Sequence, residues 1–139
     1  MIARISKLPN VKVKHAGAWP KRLPLENVEF LGKLDHSQVE QHMRQSHFFF
    51  HPAQYDPCPN SVIEALCFGM PVIYHPGPGS SAELVKQNGI AIDEDNLEAT
   101  ISKARQSYDT LITELSKSRS HYSIKHAAAH YIDVFKRDY

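Results

Sequence analysis

The sequence predicts an α/β domain with a parallel sheet, and three observations lead to this fold class. Short runs rich in β-branched and aromatic residues alternate along the chain with stretches of helical periodicity. The run His47–His51 is continuously apolar at its centre, which is typical of a strand covered on both faces of a parallel sheet. The length of 139 residues fits one domain with an adequate core. Because strands and helices alternate, we expect parallel strands joined by helical crossovers.

The predicted strands share a β-rich composition and end at glycine, proline or polar residues. The first alternates apolar and polar residues and stops before Gly17, where a loop containing Pro20 and Pro24 begins. In chain order the strands are Val11–His15, Val28–Leu31, His47–His51, Pro71–Tyr74 and Gly89–Ile92. Ligands of such sheets bind beyond the carboxyl ends of the strands, so the loops that follow these strands are where we expect a site.

The predicted helices begin at polar capping residues, and Asn60 is the favoured N-cap of the helix that Gly69 terminates. In chain order the helices run from Asp35 or Ser37 to about Gln45, over Ser61–Phe68, from Ser80 or Ser81 to Lys86, over Asn96–Lys117 and over His121–Arg137. The last helix has apolar residues at helical spacing that we expect to pack in the core: Tyr122, Ile124, Ala127, Ala128, Tyr131, Ile132 and Phe135.

An acid pair flanks the start of the helix after the third strand. Asp56 and Glu64 are eight residues apart, and Glu64 shares a helix face with Asn60. The first N–H groups of this helix, in the segment 61–63, lack intrahelical acceptors and favour an anion. A phosphate can take these amides while the two carboxylates accept hydrogen bonds from hydroxyl groups. A nucleotide-diphosphate sugar has this layout.

Simpler interpretations of the acid pair stay open. Glu64 can be an exposed helix residue stabilised by the positive end of the helix dipole, and Asp56 can be an ordinary loop acid. Two acids at this spacing are common by chance, so the pair gains weight only from its surroundings.

The charge balance argues against a nucleic-acid partner. Lys and Arg number 16 and Asp and Glu 15, which gives a formal net charge of +1 and none of the basic excess expected of a nucleic-acid-binding domain. The start of the chain is nevertheless basic, with six bases and no acids between residues 4 and 22: Arg4, Lys7, Lys12, Lys14, Lys21 and Arg22. We expect a solvated face there, and attraction to the phosphates of a nucleotide, an anionic membrane or RNA is the alternative.

Cysteine and histidine usage predicts neither disulfides nor a metal site. Cys58 and Cys67 are too few for a disulfide framework and lack Cys-x2-Cys spacing, which fits a reducing compartment. The nine histidines form no His-Glu-x2-His pattern. No apolar run approaches the roughly 18–20 residues that cross a bilayer, and the N-terminus lacks a secretory pattern. We therefore expect a cytoplasmic location, with peripheral contact to the inner face of a membrane as a variant.

Several motifs in a fixed order resemble one enzyme family. The segments that carry the resemblance are Val28–Leu34, His51–Pro52, Asp56–Ile73, Glu83–Val85 and Asn88–Ala91. Together they resemble the retaining glycosyltransferases of the GT-B fold in the large family 4 group, whose members have a Val-x-Phe-Leu-Gly strand and a Glu-x7-Glu motif. The resemblance covers roughly residues 8–137 and implies a Rossmann-like, three-layer domain, namely the C-terminal, donor-binding half of such an enzyme.

The resemblance also implies binding roles for the matching positions. Glu64 would bond the nucleotide ribose, and Asp56 would contact the donor sugar in place of the first Glu of the motif. The positions implied for the diphosphate are Pro59, Asn60, Ser61 and Val62. The positions implied for the nucleobase are Gly32, Lys33 and Leu34. The donor implied is a UDP- or GDP-sugar, with no metal and no permanently bound cofactor.

The chain departs from the family pattern in two ways. Asp56 is one methylene shorter than Glu, which sets its carboxylate back by about 1.5 Å. The chain also lacks the opening strand and the Gly-Arg…Lys-Gly loop of the donor domain, and residues 2–7 match the end of the first helix. We therefore expect residues 1–139 to form a single nucleotide-sugar-binding domain that is incomplete at its N-terminus, without the acceptor domain, either as a fragment or as a divergent remnant.

The function expected from the resemblance is transfer of a hexosyl group, with retention, to a glycan or lipid-linked acceptor in polysaccharide biosynthesis. Catalysis in this family takes place between two domains, so we expect this chain alone to be inactive. The alternative is a non-catalytic module that binds a nucleotide or a protein partner.

Overall fold

The computed structural model describes residues 1–18 and 25–137. The predicted turn residues Pro20 and Pro24 and the bases Lys21 and Arg22 lie outside the described residues. The helices are α1 (Ile2–Ile5), α2 (His36–Arg44), α3 (Asn60–Cys67), α4 (Ser81–Val85), α5 (Leu97–Ser118) and α6 (Ile124–Arg137), with a 3-10 turn at Arg119–Tyr122. The strands are β1 (Val13–Ala16), β2 (Val28–Gly32), β3 (Phe49–His51), β4 (Val72–Tyr74) and β5 (Gly89–Ala91). This order confirms the predicted α/β class.

All strand pairs are parallel, as predicted, but the strands form two sheets. β1 pairs with β2, and β3, β4 and β5 follow one another in the second sheet. Within residues 1–18 and 25–137, no strand is hydrogen-bonded to both sheets. Local sequence patterns indicate where strands occur, whereas pairing depends on contacts between distant residues, so the division was not predictable from the patterns.

The second sheet lies between two layers of helices. Successive residues of β4 point to opposite faces, so Val72 and Ile73 belong to different core clusters. The first cluster receives residues from α3, α4 and the end of α5: Val62, Ala65, Leu66, Val85 and Leu115. The other receives residues of β5 and the rest of α5, with Met1 and Leu8 beside them: Ile90, Ile92, Leu97, Ala104 and Leu111. Helices on both faces give the three-layer arrangement.

Local capping signals fix several helix ends. Asp35, rather than Ser37, begins α2 in a capping box, because its carboxylate accepts from the Gln38 N–H and the Gln38 side chain accepts from the Asp35 N–H. Asn96 caps α5 by accepting from the N–H of Ala99 over 2.9 Å. Gly69 follows the end of α3 with a φ of 80°, a conformation that glycine adopts without strain.

The prediction that Asn60 caps α3 is wrong. Pro59 occupies the N-cap position, and Asn60 is the first helical residue. Pro59 forms a tight turn with φ −74° and ψ 82°, in which the Asn60 N–H donates to the Cys58 carbonyl over 2.9 Å. This turn directs the chain into the helix one residue earlier than the sequence predicts.

The prediction that α6 packs in the core is also wrong for its described apolar side chains. Ile124 is 83% exposed and Ile132 54% exposed, and Ala127 and Ala128 are exposed as well. Tyr122, just before the helix, does pack against the core. The side chains of Tyr131 and Phe135 lie outside the described part of the chain. Helical spacing shows that a helix has an apolar face, but not which surface covers it. In the described chain, no helix is both long and apolar enough to span a membrane.

Candidate functional site

The loop between β3 and α3 carries the predicted sugar-binding acid. The Oδ1 atom of Asp56 accepts a hydrogen bond from the Cys58 N–H over 3.1 Å, which makes a local turn before α3. The Asp56 carbonyl accepts from the Ser80 N–H over 3.1 Å, and the Ser80 hydroxyl donates to the Pro57 carbonyl over 2.8 Å. Residues from two loops therefore fix the backbone around Asp56.

Two glycines allow these loops to approach closely. A Cβ atom on Gly79 would lie 2.7 Å from the Asp56 carbonyl oxygen and 2.8 Å from its nitrogen. A Cβ on Gly77 would collide with the Gln54 carbonyl oxygen. Because the nearest atom that each Cβ would meet is a backbone carbonyl oxygen, rotation of a side chain cannot make room for it. The Pro-Gly segment after β4 thus packs directly against the backbone of the loop after β3.

His51, the last residue of β3, lies next to Asp56. The residue is 8% exposed, and its Nε2 atom is 3.7 Å from Oδ2 of Asp56. Burial lowers the pKa of His51, and the neighbouring Asp56 carboxylate raises it in part. The pair was not predicted from the sequence, although both residues were part of the motif that carried the resemblance.

A second histidine–acid pair ties the loop after β5 to the same edge. His75 Nε2 contacts Oε1 of Glu94, which also accepts from the Gln54 side chain over 3.4 Å. Arg4 donates to the Glu94 carbonyl over 2.7 Å. The hydrogen bond from His75 lowers the pKa of Glu94. Sequence reasoning missed this pair, whose signal is that each residue closely follows one of two neighbouring parallel strands.

The outer face of α3 presents the remaining predicted residues. Asn60 and Glu64 are exposed, whereas Pro59 and Val62 are fully buried. The Glu64 carboxylate makes no hydrogen bond or ion pair with any of the described residues. It is therefore available to a ligand, and equally it can be a solvated helix residue, as the simpler interpretation holds.

The free amides at the start of α3 are fewer than the sequence predicts. The N–H groups of Val62 and Ile63 both donate to the Pro59 carbonyl, over 3.0 and 3.3 Å. The Asn60 N–H is used in the turn at Pro59. In the described chain only the Ser61 N–H of this first turn has no acceptor. Since the helix dipole also favours negative charge at this end, Ser61 marks the most favourable position for an anion.

The predicted nucleobase edge lies on the other sheet. Gly32 ends β2, Lys33 is exposed, and Leu34 is half-buried before the capping box of α2. The Gly32 carbonyl accepts from the Gly17 N–H over 2.7 Å. No hydrogen bond or ion pair joins this segment to the segment 56–64 in the ranges that the structure describes. The structure thus groups Asp56, Asn60, Ser61 and Glu64 on one loop and helix. The ligand-binding roles of these residues and of the nucleobase edge stay predictions.

The histidines and acids of the described ranges, 1–18 and 25–137, form no group of three or more ligands that could hold a metal ion. The pairs at His51 and His75 are two separate contacts rather than one coordination sphere.

Comparison with models of protein families gives a match. The model of the family described as glycosyl transferases group 1 matches residues 14–124, which include β2 to β5, all of β1 except Val13, and the whole of the loop and helix that carry Asp56 and Glu64. No curated protein matches the chain.

Proposed function

The chain belongs to the group 1 glycosyl transferase family, and from that premise we propose that it is the donor-binding part of a retaining hexosyltransferase. Membership implies glycosyl transfer from a nucleotide-sugar donor to an acceptor in general terms. The proposal adds that the donor is a UDP- or GDP-sugar and that the acceptor is a glycan or a lipid-linked glycan.

The arrangement at the start of α3 carries the proposal. The Ser61 N–H, which has no acceptor in the described ranges, and the positive end of the helix favour a diphosphate at this point. Glu64, one turn further along and without a hydrogen-bond partner among the described residues, can accept hydrogen bonds from the ribose hydroxyls. Asp56, held in place at the head of the helix, can do the same for the donor sugar. During transfer the helix end would stabilise the negative charge that develops on the departing diphosphate, so the proposal needs no metal.

The shape of the surface supports a role in only part of the reaction. Two concavities on the described surface lie elsewhere, one lined by Arg4, Leu8 and residues 95–98, and one lined by Glu83, Leu84 and residues 86–88 with Ser118 and Tyr122. Asp56, Ser61 and Glu64 are outside both, and all three are partly or fully exposed to solvent. A second domain would be needed to close this face over an acceptor, so we expect the chain alone to bind the donor but to give little or no turnover.

Titration calorimetry with UDP and with GDP tests the proposal. We expect binding of at least one nucleotide by the wild-type chain and loss of that binding in Glu64→Ala. Glu83→Ala is the matched control, because Glu83 is also an exposed helical glutamate and lies on the neighbouring helix α4. Absence of nucleotide binding in the wild type, or equal binding in both variants, would refute the donor site.

The same variants separate the alternatives. A non-catalytic nucleotide module would bind nucleotide but give no transfer even when joined to an acceptor domain. A basic membrane or RNA surface would show salt-sensitive binding to anionic vesicles or RNA that Glu64→Ala leaves unchanged.

A further inference from the structure

His51 is a buried imidazole that faces the proposed sugar-binding acid without bonding to it. The distance of 3.7 Å from its Nε2 atom to Oδ2 of Asp56 is too long for a hydrogen bond. Nε2 is shielded from solvent and has no other hydrogen-bond partner in the part of the chain that the structure describes. An unpartnered buried polar atom destabilises the protein, so the folded protein is stabilised when this nitrogen acquires a hydrogen-bond acceptor.

The fold sets this gap by fixing both partners. The His51 carbonyl accepts from the His75 N–H over 3.0 Å, and the His51 ring stacks on Phe49 with centroids 6.3 Å apart. Asp56 is held by the hydrogen bonds from Cys58 and Ser80. Because the backbone is held on both sides, the pair can respond to a ligand mainly by a small ring movement or by a change of protonation.

We infer that binding of a nucleotide sugar at this site is coupled to uptake of a proton by His51. The inference rests on the proposed function, since it requires the diphosphate at the head of α3, beside Asp56. A protonated imidazole donates from both nitrogens, so His51 can then form a charge-assisted hydrogen bond to Oδ2. The diphosphate adds negative charge next to this pair and favours the protonated ring.

The sign of the coupling follows from the charges. Burial lowers the pKa of His51 in the free protein, where Asp56 opposes this effect only in part. The bound anion raises that pKa, so the affinity is highest below the pKa of the free protein. The affinity falls as the pH rises from the His51 pKa of the free protein to the His51 pKa of the complex, and it is constant above that. Each unit by which binding raises the pKa changes the affinity about tenfold.

Other titratable groups lie on the elements that pack around His51. Asp56 and Cys58 belong to the loop that follows it. Tyr74 on β4 is the register partner of His51, and His75, which follows β4, is already paired with Glu94. Glu64 and Cys67 are on the outer face of α3. Among these, Asp56 is the charged group that contributes to the pKa shift of His51.

Calorimetry with UDP-glucose and GDP-mannose measures the coupling. The diphosphate of each probe is esterified at both ends and takes up no proton itself between about pH 5.5 and 8, where histidine titrates. Binding enthalpies in two buffers of different ionisation enthalpy give the proton uptake, and the affinity is followed over the same pH range. The variants are His51→Gln, which can donate but not titrate, and His47→Asn as a matched control. His47 is exposed and lies two residues before the start of the same strand.

In the wild type and in His47→Asn, we expect proton uptake that peaks at a pH between the His51 pKa of the free protein and the His51 pKa of the complex. His51→Gln should bind with no uptake and with an affinity that is nearly independent of pH. Binding by the wild type without proton uptake, or an unchanged pH profile in His51→Gln, overturns this inference and leaves the proposed function intact. Absence of binding in the wild type overturns both.

A measurement on the wild-type protein covers the case in which His51→Gln fails to fold. NMR titration of the His51 ring should show that its pKa rises when UDP-glucose is added. Without ligand, the His51 pKa of the Asp56→Asn variant should be lower than that of the wild type. A His51 pKa that is the same with and without the nucleotide sugar would contradict the coupling.

Discussion

The backbone N–H of Ser80 donates a hydrogen bond of 3.1 Å to the carbonyl oxygen of Asp56. This bond joins the loop after β4 to the loop after β3, four residues before α3 begins. The neighbouring Gly79 allows the approach, because its Cα lies directly against the Asp56 backbone. The position of the proposed sugar-binding acid therefore depends on the loop after β4 as well as on its own loop.

Gly79→Ala should weaken both the fold and nucleotide binding. The added Cβ would lie 2.7 Å from the Asp56 carbonyl oxygen, so one of the two loops must move. Overpacking of this kind costs about 1–3 kcal/mol. Urea denaturation checks the stability, and calorimetry with UDP checks the binding. Cys58→Ala, a change at an exposed side chain of the loop after β3, should stay within about 0.5 kcal/mol of the wild type, and an equal loss in both variants would contradict the explanation.

Tyr122→Phe should destabilise the end of the domain that is formed by α4 and α5. The Tyr122 hydroxyl donates to the Leu84 carbonyl over 3.0 Å and accepts from the amide of the buried Asn88 over 2.8 Å. Its removal leaves these groups without that partner, at a cost of about 1–3 kcal/mol. Tyr55→Phe removes the same oxygen from a residue that is 69% exposed and should change the free energy of unfolding by less than about 0.5 kcal/mol.

Acid should remove the contribution of the pair formed by His75 and Glu94. The pKa of Glu94 is lowered from an ordinary value of 4.5, chiefly by the hydrogen bond from His75. A carboxyl group with a lowered pKa stabilises the folded state above the pKa of the unfolded chain, and this stabilisation is lost as the pH falls through the pKa of the folded state. In thermal unfolding, the difference in Tm between wild type and Glu94→Gln should be largest above about pH 4.5 and should vanish at lower pH. A difference that does not change with pH would show that charge is not the cause.

Most of the fold could be predicted because its signals are local. The capping box at Asp35, the terminating Gly69 and the cap at Asn96 each act within a few residues and are found where the sequence indicates. The strands were found for the same reason. The start of α3 was misplaced by one residue because the proline turn at Pro59, rather than the side chain of Asn60, sets the helix start.

The remaining features depend on contacts between distant parts of the chain. Periodicity predicts that α6 has an apolar face, but it does not specify which surface covers that face. In the structure Ile124 on this helix is exposed. The separation of β1 and β2 from the other strands has the same origin. At the site, the sequence indicates Asp56 and Glu64, but the contacts of Asp56 with His51 and Ser80 arise only when the carboxyl ends of neighbouring strands meet.

The central claim is that the start of α3 binds the diphosphate of a nucleotide sugar, and NMR of the backbone amides tests it most directly. On addition of UDP-glucose or GDP-mannose, the Ser61 N–H should show one of the largest chemical-shift changes, since it is the amide of the first turn of α3 without an acceptor in the described chain. The change should be much smaller in Glu64→Gln at the same ligand concentration and should persist in Glu83→Gln. Shifts confined to the basic residues near the start of the chain, or a Ser61 shift that Glu64→Gln leaves unchanged, would contradict the account.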